Sequence, residues 1–321
     1  MSRAAIKAPA QLPELVRAAF AKARTEGEVQ YFPTKVTLLS VGSIPFQLRF
    51  SPALANKPQR AGHAPREQPV DPFAYPPRRL FVADLGPSHY LVLNKFAVVP
   101  EHFILATREF RPQTGVLDEA DLEATLACIR AYRDSREDGD GLFAFFNGGE
   151  HSGASQPHRH IQLLPVARMR EGLDDGASWS LLATSPHLDK APFATFSEKI
   201  SQSTSPRHLH AAYLRLYRQA CHAATGTALP AGDEGEGEAR ISYNLAMTED
   251  TLVVCPRRAE GGEVRRPAEG GGGEVVGRLA LNGTVLAGTA LVRKQEEWDA
   301  LREDPGGLVR VLGRIGVPRG E

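Results

Sequence analysis

The apolar positions of this chain change period repeatedly, and each change marks an element. Leu12, Leu15, Val16, Ala19 and Phe20 share one side of a helical repeat, predicting an amphipathic helix over residues 12–24. Apolar-rich runs over 36–41 and 45–50 flank Gly42-Ser43 and read as short strands. Further strands are predicted at 80–84, 90–93 and 103–107, the last two bracketing Asn94-Lys95-Phe96. Asp118 reads as an N-cap, with acidic residues in the first turn, and Leu122, Leu126, Ile129 and Tyr132 carry the helical period to Asp134. Residues 142–146 are wholly apolar and read as a central strand, whereas 158–165 alternate. Another helix is predicted over 208–224, and a hairpin joins 242–247 to 252–255 through Thr248-Glu249-Asp250. Strands at 275–281 and 286–292 and helices at 296–302 and 307–315 close the chain. Strands and helices mix without strict alternation, which predicts an α+β fold, mainly antiparallel.

Three segments break the pattern. Residues 52–79 are rich in Pro and Arg and read as extended, irregular chain crossing the surface. Residues 230–239 are acidic and Gly-rich, and 258–274 contain four successive glycines, Gly270 to Gly273; they read as a flexible loop tip and a solvent-exposed linker. No Lys-Ser/Thr pair or strand–loop–helix frame makes either a phosphate-binding glycine loop.

Composition narrows the function classes. The 321 residues suffice for a large buried core, and 42% apolar with 24% charged residues is ordinary for a globular protein. With 38 basic and 38 acidic residues the formal net charge is +0, so no global field draws nucleic acid or an anionic membrane, and neither is an expected partner. No apolar run approaches the ~20 residues that span a bilayer, and the N-terminus lacks a signal pattern. Cys128, Cys221 and Cys255 are scattered and odd in number, implying a reducing compartment. The expectation is a cytoplasmic protein, with the nucleus as a second location.

The chemistry concentrates in residues 148–162, Gly-Gly-Glu-His-Ser-Gly-Ala-Ser-Gln-Pro-His-Arg-His-Ile-Gln. A Gly/Ser loop able to wrap a polyphosphate runs into an alternating strand. There His158, His160 and Gln162 project to one face, and Arg159, Ile161 and Leu163 to the other. A nucleophilic histidine must be neutral at the attacking nitrogen and fixed through its other nitrogen, and His160 lies where strand backbone can hold it. Gln162 can donate its amide to a non-bridging oxygen without supplying a proton, which favours keeping a phosphoramidate for an acceptor other than water. Two readings compete: two histidines at this spacing can be purely structural, or half of a zinc site, although no compact second pair of ligands is evident. Arg159 reads as an outward charge or a cross-strand partner.

These residues resemble the diadenosine tetraphosphate phosphorylases, or ATP adenylyltransferases, of the histidine-triad and galactose-1-phosphate uridylyltransferase superfamily. The resemblance runs through Phe146-Asn147-Gly148-Gly149 to Gln162 and through 93–102, from Leu93 to His102. It extends to Glu109-Phe110-Arg111-Pro112-Gln113 and Asp71-Pro72-Phe73, and more weakly to 242–248 and Ala287-Gly288. It implies a histidine-triad-like, mainly antiparallel sheet with flanking helices. One adenylyltransferase domain would span 1–321, with 1–225 carrying the motif and 240–321 completing the sheet and substrate site.

Carried over by position, His160 would take AMP from the α-phosphorus, His158 would orient it, and Gln162 would bind the α-phosphate. Asn147 and the loop Gly153, Ala154, Ser155, Gln156 match nucleotide- and phosphate-contacting positions, as do Lys57, Asn94 and Lys95. Asn282, Gly283, Thr284, Thr289 and Arg293 fall where further contacts are expected, with Thr289 replacing Met and Arg293 replacing Lys. Lys57 and Lys95 are also open to the reading of solvated surface lysines, and Asn244 to that of strand or turn chemistry rather than substrate contact.

The resemblance implies phosphorolysis of diadenosine tetraphosphate to ATP and ADP, and the reverse, through a covalent AMP–histidine. The implied partners are dinucleoside polyphosphate, ATP, ADP and phosphate, acting on a monomer. A divalent cation, Mg²⁺ by expectation, would neutralise the phosphates; no carboxylate cluster demands a protein-bound metal. Sugar-nucleotide uridylyl transfer and an inactive nucleotide-binding protein are the alternatives. Against the first stand Arg159, where Pro is usual, and the lack of metal-ligand cysteines; against the second stands the intact His-x-His-x-Gln. A plain hydrolase is disfavoured by Gln162 in the place of a third histidine.

Overall fold

Eight strands build the sheet that carries the central motif. The computed structural model describes residues 5–54, 71–135, 141–201, 203–227, 237–267 and 273–319. In chain order the strands are β1 (Gln30–Tyr31), β2 (Lys35–Val41), β3 (Ile44–Phe50), β4 (Phe81–Leu85), β5 (His89–Leu93), β6 (Phe96–Ala97) and β7 (Phe103–Thr107). They continue with β8 (Leu142–Gly148), β9 (His160–Pro165), β10 (Phe196–Lys199), β11 (Ser242–Met247), β12 (Thr251–Arg257), β13 (Gly261–Arg265), β14 (Val275–Ala280) and β15 (Thr289–Val292). The helices are α1 (Leu12–Thr25), α2 (Glu119–Ser135), α3 (Val166–Met169), α4 (Pro206–Thr225), α5 (Gln295–Glu303) and α6 (Gly306–Ile315). The large sheet runs β10-β12-β11-β8-β9-β7-β5-β4, and every neighbouring pair in it is antiparallel.

The sheet is covered on both faces, which is why its middle strand is a continuous apolar run. From β8, Leu142, Ala144 and Phe146 face one core with α1, α2 and α4; Phe143 and Phe145 face a second core. That second core is built from β2, β3, β15, α5, α6 and the segment carrying Trp179 and Phe193. In β9, Ile161 and Leu163 belong to the first core and Leu164 to the second, so the side that holds His160 and Gln162 is the second.

The periodicity located most elements within a residue or two, and the exceptions have physical reasons. The apolar run 286–292 is not one strand: a 3-10 turn over Gly283–Ala287 ends at Gly288, whose φ of +70° breaks the chain before β15. The predicted linker 258–274 contains β13, paired with β14 and burying Val264, because its glycines permit a close approach; Gly261 has no room for a Cβ against Leu279 O. At the predicted tip 230–239, residues 230–236 lie outside those described, while Glu238 bridges Gly115 and Ala239 N–H donates to Thr114 O at 2.8 Å. Asp118 gives its N–H to Asp121 Oδ2 (2.9 Å), and its carboxylate pairs with Arg111 and Arg159. The described part of 52–79 carries a 3-10 turn over Pro52–Leu54 and no strand.

Candidate active site

The site lies where β8 and β9 part. Their pairing runs from Leu142↔Pro165 to Phe145↔Gln162 and stops, leaving Asn147 and His160 on either side of an opening beneath the loop 149–157. His160 is fully buried and stacks on Phe73 at 5.0 Å between ring centroids. Its Nδ1 donates to His158 O at 2.8 Å, so Nε2 carries the lone pair. Burial holds its pKa down to about 4, aided by the neighbouring His158 charge and opposed by the Nδ1 hydrogen bond and Asp71. The ring is therefore neutral at physiological pH, as a nucleophile requires.

His158 is saturated instead. Nδ1 lies 2.7 Å from Asp71 Oδ2, and Nε2 lies 2.8 Å from Thr107 O and 3.0 Å from Thr107 Oγ1. Burial raises the Asp71 pKa, but hydrogen bonds from His158 and from the Phe73 and Ala74 N–H groups, with the His158 charge, bring it below its ordinary value. Neither nitrogen of His158 is open to a substrate, and the residue supplies a carbonyl that fixes its neighbour.

A second chain fixes Gln162. Asn94 Nδ2 donates to His102 Nδ1 (3.0 Å), and His102 Nε2 donates to Gln162 Oε1 (2.6 Å). Burial lowers the His102 pKa to about 4, outweighing the Gln162 hydrogen bond, so His102 is neutral and passes one proton in one direction. Gln162 Oε1 is occupied, which turns its NH₂ toward the opening. Asn147 is fixed in the same sense: Oδ1 accepts from Asn244 Nδ2 (2.9 Å) and Gly283 N–H (2.8 Å), leaving its NH₂ free to donate. Asn244 is fully buried, accepts from Arg257, and so braces the site from behind rather than lining it. Gly153, at φ +81°, brings the loop against Asn282, where a Cβ would sit 2.6 Å from Leu281 O.

A cleft of about 320 Å³ is lined by Gln162, His102, Asn94, Asn147 and Gly153, while the buried His158 and His160 stay outside its lining. Of the residues predicted from the sequence, Asn94, Asn147, Gly153, Ala154, Ser155, Gln162, Asn282, Thr284, Thr289 and Arg293 line it. Val98, Val99, Phe145, Leu164 and Leu291 give it an apolar wall suited to a planar base. Thr289 donates its hydroxyl to Gln47 Oε1 (3.1 Å), while Arg293 is exposed at the rim. Gly283 sits just behind, and Gln156 is half-buried beside the loop with its Oε1 unpaired. Lys95 is exposed outside the lining, its ammonium 5.9 Å from the Phe96 ring centroid, and Lys57 lies outside the described residues.

Arg159 is not an outward charge. It is buried on the opposite face, with Nη1 3.1 Å from Asp118 Oδ2 and 2.9 Å from Asp121 Oδ2, and Asp121 also takes His89 Nε2 at 2.8 Å. Three residues that sequence reasoning did not assign now stand in the site: Asp71, His102 and Gln113. His102 follows Glu101, whose φ of +60° is held by Arg168 at 2.9 Å. A larger hollow, about 500 Å³, lies by β13 and α6, but its Arg265 and Arg310 are paired with Glu263 and Asp304, and no histidine lines it.

Among the described residues no three His, Cys, Asp or Glu side chains are grouped to hold a metal, and no helix is long and apolar enough to cross a membrane.

Comparison with known proteins covers nearly the whole chain. Residues 2–174 fit the Ap4A phosphorylase N-terminal domain and residues 189–318 the ATP adenylyltransferase C-terminal domain. The chain is 30% identical over 290 residues to diadenosine 5',5'''-P1,P4-tetraphosphate phosphorylase 2 of Saccharomyces cerevisiae, covering 85% of this chain and 84% of that one. It is 28% identical over 329 residues to Protein APA1 of the same yeast, covering 97% and 95%. The crystal structure of yeast Ap4A phosphorylase Apa2 in complex with Ap4A superposes with a TM-score of 0.69 at 26% identity, covering 97% of this chain and 99% of that one. The complex of the same enzyme with AMP gives 0.71 at 26% identity, covering 96% and 97%. The two matched family models together span nearly the whole sequence, and the chain belongs to the Ap4A phosphorylase/ATP adenylyltransferase family.

Proposed function

We infer that this protein is an ATP adenylyltransferase that phosphorolyses diadenosine tetraphosphate, giving ATP and ADP, and that it runs in reverse from the same two products. His160 Nε2 attacks the α-phosphorus and expels ATP, leaving AMP bonded to the ring. Inorganic phosphate then attacks the same phosphorus, and AMP leaves the histidine as ADP. Each displacement inverts the phosphorus, so the reaction proceeds with net retention and ping-pong kinetics.

The observation that carries this reading is the one-way orientation of both partners. His160 is neutral with Nδ1 engaged, and the Asn94–His102–Gln162 chain leaves an amide donor, not an acid, facing the α-phosphate. Such a donor stabilises charge on a non-bridging oxygen in the transition state but gives water no acid or base to enlist. Among the described residues no three His, Cys, Asp or Glu side chains are grouped to meet the expected Mg²⁺, which would neutralise the phosphates by entering with the polyphosphate. The uridylyl alternative gains nothing from the site, since all three cysteines are buried and free of one another.

Product analysis with diadenosine tetraphosphate tests the reading. ATP and ADP should form only when phosphate is supplied, and intact-mass measurement of quenched enzyme should reveal an added AMP. Release of AMP and ATP without phosphate would make the protein a hydrolase instead.

A further inference from the structure

The gap between β8 and β9 is filled by one side chain from a different part of the chain. Gln113 is buried, 2% exposed, just beyond the bridge that joins Pro112 to His158. Its Oε1 accepts His160 N–H at 2.7 Å. Its Nε2 donates to His160 O at 3.1 Å and to Asn147 O at 2.9 Å. The main chain around it is tied alongside: Gln113 N–H donates to Pro157 O (2.8 Å), and Arg159 N–H donates to Arg111 O (2.7 Å).

The carboxamide thus does for β8 and β9 what a strand residue would do, pairing with three backbone groups that would otherwise be buried without partners. Only a side chain with one acceptor and two donors can satisfy all three at once. Two of these groups belong to the nucleophile and the third to Asn147, whose amide faces the cleft. The distance between His160 and the phosphate-binding side of the cleft is therefore set through Gln113.

We propose that Gln113 is a positioning residue for adenylyl transfer, holding the backbone of His160 so that Nε2 lies in line with the α-phosphorus. This rests on the phosphorolysis reading above. A nucleophile displaced by about 1 Å forfeits on the order of 10²-fold in rate while binding is hardly touched, and that split distinguishes positioning from binding.

Gln113→Glu keeps the size and the acceptor but points a carboxylate at two carbonyl oxygens. Near pH 8 its kcat should fall roughly 10²-fold with KM within about threefold of wild type. Toward pH 5 the introduced carboxyl gains a proton and one donor returns, so kcat should recover about tenfold relative to wild type. A wild-type kcat at pH 8, a loss confined to KM, or a pH profile parallel to wild type would each overturn the proposal. Gln113→Ala adds a readout free of turnover. Hydrogen exchange at the His160 amide should quicken at least about tenfold, with Leu163 unchanged; unchanged exchange at His160 sinks the idea even if wild-type enzyme proves inactive on diadenosine tetraphosphate. Such wild-type inactivity alone would count against the phosphorolysis reading instead.

Discussion

The two sides of β9 handle buried polar groups in opposite ways. On the side facing α2, Arg159 meets two carboxylates, and Asp121 is further bonded by His89. Burial raises the Asp121 pKa, yet the His89 hydrogen bond and the Arg159 charge bring it below its ordinary value. On the cleft side His158 is taken up by Asp71, His102 and His160 are neutral, and the donors of Gln162 and Asn147 and the lone pair of His160 are left over. One side closes its charges among themselves and holds the strand; the other keeps specific atoms unspent for a ligand. A strand residue's role here is read from what its partners leave available, not from how polar it is.

The largest effect expected from breaking this contrast is at the nucleophile. His160→Ala should lower phosphorolysis by more than about 10³-fold and abolish the AMP adduct, while urea unfolding remains cooperative. Wild-type turnover in that variant would remove the basis of the assignment. On the opposite side the effect should be on stability. Arg159→Met leaves Asp121 buried beside a neutral side chain and should cost about 3–5 kcal/mol in denaturant unfolding. A change under about 1 kcal/mol would mean that water or a neighbour already compensates Asp121.

His102→Phe sharpens the comparison, because it removes the proton that orients Gln162 without touching His160. The expected loss is up to about 10²-fold in kcat with little change in nucleotide affinity, checked by single-turnover kinetics and direct binding. The smallest effect is on pH dependence. Folded His102 and His160 resist protonation down to about 4, against 6.5 for the free side chain. The unfolded chain therefore takes up protons first, and the stability these sites contribute is complete above 6.5 and declines as pH falls toward 4. Activity should persist through that window and fail below it as the rings become charged. A rate falling with an apparent pKa near 6.5 would show that the nucleophile is not desolvated.

Most of the scaffold could be read from the chain because strand and helix periods are local. The 142–146 run, the 242–255 hairpin and the helix at 208–224 needed no distant information. The 286–292 run misled because apolar content alone does not separate a short strand from a tight turn, and Gly288 divides it. In the site, the motif put His158, His160 and Gln162 on one face, and ten of the predicted residues line one cleft. Asp71, His102 and Gln113 carried no such signal. Each acts across a separation of 47 to 87 residues, on a partner chosen by strand pairing and loop crossing, and a lone carboxylate, imidazole or amide has no period to betray it. Arg159 was equally opaque, since alternation gave its direction but not the acids waiting there.

The division of the interior into two cores has a practical corollary. Both tryptophans, Trp179 and Trp298, belong to the core on the cleft side of the sheet, whereas Tyr90, Tyr132, Tyr213, Tyr217 and Tyr243 belong to the other. Indole emission is thus an optical gauge of the cleft-side layer alone, built into the native polypeptide without any label.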